Sequence, residues 1–167
     1  MLQHRGFLRV IFMRQAKQVH ILLYRQRNGQ YEYAIFQRSD FTLCWQGVCG
    51  GLEGEETVLE GARRELREEA GITVEHPIYQ LDSTGFLPAG IFGEKYRKLW
   101  GEETILVPMY ALAMPYDGEI RLSDEHLEVR WLPYEQAHDL VYFDSQQTSL
   151  YELNERLLRG LMPEAMK

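Results

Sequence analysis

Two short runs near the start of the chain, VHILLY (19–24) and YEYAIF (31–36), are rich in β-branched, leucine and aromatic residues. They flank RQRNGQ, where Asn28-Gly29 is a strong two-residue turn signal, so a β-hairpin is expected. The opening run FLRVIFM also reads as extended. TILVPMYALAM (104–114) is almost wholly apolar, the pattern of a strand buried on both faces. HLEVRWL (126–132) alternates, as a half-buried strand does. Over TSLYELNERLLRG (148–160), Leu150, Leu153, Leu157 and Leu158 recur on one helical face, with Gly160 as the stop. Strands before and after a central helix, then a closing helix, predict a mixed sheet covered on both faces. The fold class is α/β (α+β), in a single domain over 1–167.

The central helix lies in GGLEGEETVLEGARRELREEAGI (50–72), which carries seven glutamates. Thr57 followed by Glu60 forms a capping box, and Gly71 after Ala70 supplies a left-handed C-cap. At 100° per residue, Val58, Leu59, Ala62, Leu66 and Ala70 fall within roughly 120° and form the core face. Arg63, Arg67 and Glu60 point away from it. Glu65, Glu68 and Glu69 share an arc of about 100° beside that face, with Gly61 one turn earlier in the same arc. Like charges at such spacing repel by about 0.2–0.5 kcal/mol per pair. Two partners could offset this: Arg64, four residues from both Glu60 and Glu68, or a divalent cation, since hard Mg²⁺ prefers carboxylate oxygens.

A helix rich in Glu and Arg is ordinarily a solvated face. Here the glutamates gather while two arginines lie elsewhere, and Gly61 weakens the helix unless close packing requires it. The preceding GVCGGLEGEE, with four glycines, suits backbone approaching a ligand closely.

Charge and composition narrow the function classes. The net charge of −7 argues against general nucleic-acid binding. No run approaches a membrane span. The basic N-terminus MLQHRGFLRVIFMRQ has its apolar core interrupted by Arg9 and lacks a small-residue cleavage site. Residues 1–14 therefore read as an extra strand or docking arm. Cys44 and Cys49 do not have the spacing of a zinc or redox motif and read as two reduced thiols, consistent with a cytoplasmic location.

The stretch 50–72 resembles the Nudix box, G-x5-E-x7-R-E-U-x-E-E-x-G-U with U a bulky aliphatic residue. Gly50, Glu56, Arg64, Glu65, Leu66, Glu68, Glu69, Gly71 and Ile72 fill every specified position. The resemblance implies a Nudix hydrolase with an α/β/α sandwich fold, cleaving a diphosphate linkage with Mg²⁺ or Mn²⁺. It implies Glu65, Glu68 and Glu69 as metal ligands, joined by the Gly50 carbonyl. Arg64 would orient the glutamates, and Glu56 would pair with it. FTLCWQGVCGGLEGEE and SDEHLEVRWL further resemble the dihydroneopterin triphosphate and dATP pyrophosphohydrolase branch, so that similarity covers roughly residues 17–158. On that likeness Glu125 is an extra metal ligand or a base, and Glu68 and Glu125 are both candidates for the general base.

Substrate contacts are expected from Arg38 and from STGFLPAGIFGEKYRKLWGEE (83–103). There Phe86, Phe92, Tyr96 and Trp100 could stack on a ring, and Lys95, Arg97 and Lys98 could hold phosphates. The alternative for this segment is a solvated loop with anchoring aromatics. Trp45 is read as core and His126 as structural. The expected reaction gives a monophosphate and pyrophosphate from a nucleoside or pterin triphosphate, in a monomer or homodimer. A nucleoside-diphosphate-sugar or dinucleotide pyrophosphatase is the second enzymatic reading, with Pro88 near a position where ADP-ribose-type members carry proline. A non-catalytic nucleotide sensor is the third.

Overall fold

The computed structural model describes residues 13–167. Residues 1–12, and with them most of the expected N-terminal arm, lie outside the described residues. Strand β1 (Arg14–Arg27) turns through Asn28 and Gly29, at φ 50° and 77°, into β2 (Gln30–Arg38). Both turn residues occupy the left-handed region that a type I′ hairpin requires, as the Asn-Gly pair predicted. The chain then runs through β3 (Trp45–Gln46), β4 (Val48–Glu53) and α1 (Val58–Ala70). Next come β5 (Tyr79–Pro88), a 3₁₀ turn (Ala89–Phe92), α2 (Glu94–Trp100) and β6 (Leu106–Pro115). It closes with β7 (His126–Pro133), α3 (Tyr134–Leu140) and α4 (Asp144–Arg159).

The seven strands form one mixed sheet with β1 at its centre. One edge of β1 pairs in parallel with β6, and the other is divided. Its first half pairs with β4, placing Gln18 opposite Gly51 and Val19 opposite Gly50. Its second half pairs with β2. β2 continues to β3 and β7, and β6 to β5.

Alternate β1 side chains enter two different cores. Val19, Ile21 and Leu23 pack with Ala62, Leu66 and Ala70 of α1. Leu22 and Tyr24 pack with Ala137 of α3 and Leu150 and Leu153 of α4. The result is the expected sandwich of helix, sheet and helix. Trp45 is buried in the second layer beneath the Arg130 guanidinium, 4.5 Å from the ring centre. Among the described residues, no helix is long and apolar enough to cross a membrane.

Several expectations need correction. β6 is buried on both faces only over 111–114, and Leu106 is largely exposed. Residues 106–108 pair with β5 alone, because the β1 partnership begins at Met109. α4 starts at Asp144, four residues before the predicted start, and Leu158 is 65% exposed. Leu150, Leu153 and Leu157 follow the i, i+3, i+7 seam, and Leu158 lies one step further round the helix. Segment 83–103 is not a bare loop: it holds the end of β5, the 3₁₀ turn and α2.

Beneath α4 the imidazole of His20 is fully buried, its Nε2 3.1 Å from the Ser149 hydroxyl. Its Nδ1 has no hydrogen-bond partner among the described residues. Burial pushes its pKa down from 6.5 to about 4. The unfolded chain therefore takes up a proton below pH 6.5 that the folded protein refuses until about pH 4. Stability should fall across that window by about 3 kcal/mol on this account. Denaturant titrations at pH 7 and pH 4.5 should show a smaller acid loss in His20→Gln than in the wild type.

Candidate active site

The α1 glutamates are held by helix geometry and by one cation. Thr57 caps the helix: the Glu60 amide donates to its hydroxyl, and the Glu60 carboxylate accepts from the Thr57 amide at 2.8 Å. Glu60 is therefore committed to the cap and does not pair with Arg64, contrary to one four-residue pairing expected above. Arg64 turns instead toward β4 and the loop before the helix. Its Nε donates to Glu56 at 2.7 Å, and Nη2 donates to the Gly51 carbonyl at 2.7 Å. Nη1 reaches Glu65 at 2.7 Å and Glu68 at 3.1 Å. Glu56 also accepts from the Glu53 amide, and the Arg64 hydrogen bond holds its carboxyl below the usual range.

Glu65 and Glu69 are only 7% and 2% exposed. Burial raises the pKa of both above the usual carboxylate range, although Arg64 opposes this at Glu65 and His126 opposes it at Glu69. Glu69 Oε2 lies 2.8 Å from His126 Nε2, an arrangement in which the ring N–H donates to the carboxylate, and it also accepts from the Cys49 amide at 3.4 Å. His126, read from sequence as structural, is thus in direct contact with an expected metal ligand. Glu68 remains largely exposed.

β4 is the wall against which these carboxylates rest. A Cβ at Gly50 would lie 1.9 Å from the Glu65 carboxyl carbon, so only glycine leaves room for that side chain. The glycine-rich approach to the helix is a strand and not an open loop. Gly61 serves packing as well: a Cβ there would lie 2.2 Å from Leu52 Cδ2.

A cavity of about 520 Å³ opens beside this edge. Gly50, Glu125, His126 and Arg38 of the expected or neighbouring residues line it, as does Phe92 of the 3₁₀ turn. Glu125 is exposed and directly precedes His126, whose contact with Glu69 brings the start of β7 to the α1 cluster. Arg38 is held by both oxygens of Asp40. Lys95, Arg97 and Lys98 do not line the cavity; Lys98 pairs with Glu94 on the exposed face of α2. Phe92 and Tyr96 both pack on Trp100. Arg14 and Gln18 line the cavity without having been anticipated, because the basic N-terminus masked Arg14 as part of an arm.

Among the described residues, no three His, Cys, Asp or Glu side chains stand close enough to hold a metal ion. Arg64 draws Glu65 and Glu68 toward itself. The donor chemistry nonetheless suits a hard divalent cation: two buried carboxylates with raised pKa values, a third exposed one, and a glycine carbonyl edge.

A family model for the NUDIX domain matches residues 4–153. The chain belongs to the Nudix hydrolase family, pyrophosphohydrolases of nucleotide substrates whose members generally use divalent metal ions. It is 30% identical over 138 residues to the asymmetrical bis(5'-nucleosyl)-tetraphosphatase of Sus scrofa, covering 79% of this chain and 88% of that one. It is 31% identical over 100 residues to the dihydroneopterin triphosphate diphosphatase of Escherichia coli K12, covering 59% of this chain and 66% of that one. A solved structure of a Listeria monocytogenes protein assigned to the Nudix hydrolases superposes with a TM-score of 0.80 at 35% identity. That superposition covers 91% of this chain and 100% of that one.

The Gly50 contact makes a sharp prediction. Gly50→Ala should push the Glu65 carboxylate off β4 and cut turnover by about 100-fold, the scale of a misplaced active-site group. The displaced atoms are the end of a flexible side chain, so the thermal midpoint should move by only a few degrees. A turnover assay paired with a melting curve checks both.

Proposed function

We propose that this protein hydrolyses a diphosphate linkage in a nucleoside or pterin triphosphate with Mg²⁺, releasing a monophosphate and pyrophosphate. The observation that carries the reading is the pair of buried carboxylates, Glu65 and Glu69, which do not line the cavity themselves but rest on Gly50, Cys49 and His126, which do, together with Arg14 and Arg38. Anionic groups so deeply desolvated favour a cation beside them, and a polyphosphate needs one.

Glu65, Glu69, Glu68 and the Gly50 carbonyl are the residues we assign to the cation, with Glu125 as a further ligand or the base. Bound there, a hard divalent ion supplies Lewis-acid charge and lowers the pKa of water. Arg64 holds the acidic residues in register with the strand. The His126 hydrogen bond fixes which oxygen of Glu69 faces the site. Glu68 and Glu125 are exposed enough to accept a proton from attacking water and pass it to solvent. Arg38 stands at the cavity edge as a phosphate contact, and Phe92 offers an apolar wall for a ring.

The likeness to the Sus scrofa tetraphosphatase favours a second reading, cleavage of a dinucleoside polyphosphate, because it spans more of the chain than the likeness to the diphosphatase. Product identification separates the two. Pyrophosphate with a monophosphate supports the first, and two nucleotides support the second. Glu68→Gln and Glu69→Gln should each cut turnover by orders of magnitude with folding retained, and chelation should abolish turnover until Mg²⁺ or Mn²⁺ is restored. Unchanged turnover in both variants overturns the proposal, and nucleotide binding without cleavage in either metal identifies a sensor instead.

A further inference from the structure

Strand β1 enters the cavity carrying two donors that the fold does not satisfy. Gln18 is only 5% exposed, and its Nε2 has no hydrogen-bond partner among the described residues. The same holds for Arg14 Nε. The one hydrogen bond joining the two side chains, Arg14 Nη2 to Gln18 Oε1, is long at 3.5 Å. Buried donors left in this state cost free energy unless a ligand completes them.

The position of Arg14 is fixed from two sides. On one side lies Gly51, where a Cβ would fall 2.1 Å from Arg14 Nε. Gly51 offers its carbonyl to Arg64, and the adjacent Gly50 abuts Glu65. Successive strand residues face opposite sides of the sheet, so Arg14 and Glu65 flank neighbouring glycines of β4 from opposite faces. On the other side lies α2. The Trp100 indole N–H donates to the Arg14 carbonyl at 2.7 Å, and the guanidinium sits 5.3 Å from the centre of the Tyr96 ring, which stacks on Trp100. Arg38, the other cavity arginine, is already held by Asp40, whereas Arg14 forms no ion pair among the described residues.

We propose that Arg14 and Gln18 together bind a non-bridging phosphate oxygen of the nucleotide in the cavity they share with Gly50, and that α2 acts through Trp100 and Tyr96 to position Arg14. This rests on the polyphosphate reading of the site. The guanidinium supplies a charged, directional donor and Gln18 a neutral one, a combination suited to a phosphoryl group already in contact with a cation. Trp100 and Tyr96 thus serve the substrate indirectly, by holding a cation from another strand.

The test compares wild type with Arg14→Ala, Arg14→Lys, Gln18→Leu and Trp100→Phe. Calorimetry measures the binding of inorganic tripolyphosphate in Mg²⁺ buffer, and steady-state kinetics use the nucleotide that the wild type cleaves fastest. Arg14→Ala should weaken tripolyphosphate binding and raise KM by about tenfold or more, with kcat within about threefold. Arg14→Lys should recover part of both losses. Gln18→Leu and Trp100→Phe should each raise KM by about threefold, with thermal midpoints unchanged. If Arg14→Ala is poorly folded, Arg14→Lys against Trp100→Phe carries the same comparison. Hydrolysis by the wild type with KM and tripolyphosphate affinity unaltered in the Arg14 variants overturns this inference and leaves the proposed function standing. Absence of hydrolysis by the wild type, with tripolyphosphate binding that still depends on Arg14, overturns the proposed function and keeps the phosphate site. No tripolyphosphate binding by the wild type counts against the phosphate site itself.

Discussion

The candidate site depends on one guanidinium. Arg64 bonds at once to Glu56 in the loop, Gly51 in β4, and Glu65 and Glu68 on its own helix. Three carboxylates on one arc of a helix would otherwise splay apart or take up protons. The fork geometry of arginine satisfies several oxygens without competing for one. A lysine here would neutralise the same charge as a point and leave the Gly51 carbonyl or Glu56 without its donor. Arg64 therefore does more than balance charge: it ties α1 to the strand whose glycines admit Glu65.

The compensation is incomplete where it matters for chemistry. Glu65 and Glu69 keep raised pKa values despite their partners, because burial outweighs the attraction of Arg64 and of His126. A fold selected only for stability would place apolar groups at such positions, since buried ionic groups return little net stability. On the proposed reading, that residual cost is what a bound cation would offset. The neighbouring β1 donors are the complementary case: positive and polar groups prepared for something negative. On that same proposed reading, the two halves of a polyphosphate site would meet where β1 and β4 pair.

What could be read from the sequence was what local chemistry fixes. The hairpin turn at Asn28-Gly29, the Thr57 cap and the left-handed Gly71 depend on residues within a few positions of one another, and all appear as expected. Helix periodicity put Glu65, Glu68 and Glu69 together beside the core face, but the structure buries only Glu65 and Glu69 and leaves Glu68 largely exposed. Contacts across the sheet were not legible. His126 reaches Glu69 across 57 residues of chain, and Arg14 reaches Trp100 across 86. The Arg64 partners show why spacing misleads even within a helix. Glu60 stands at the right separation but is taken by the cap, so the loop residue Glu56 fills its place. Leu158 shows the same limit in the core, where one apolar residue beside a seam is left to solvent.

The divided edge of β1 explains why such distant residues converge. A strand of ordinary length has two neighbours. At 14 residues, β1 has three, with β4 and β2 taking successive halves of one edge and β6 the other. Its first half thus runs between the glycine strand that supports the acidic helix and the strand that leads back from α2. Shortening β1 at its start would leave both hydrophobic cores intact, since Val19 is the first of its side chains to enter either. The residues before Val19 contribute little apolar burial; they bring Arg14 and Gln18 to the cavity, and Gln15 donates to the Gly54 and Glu56 carbonyls of the loop before α1. The extra length of the central strand therefore anchors the loop before α1 and, on the proposed reading, also carries the phosphate contacts.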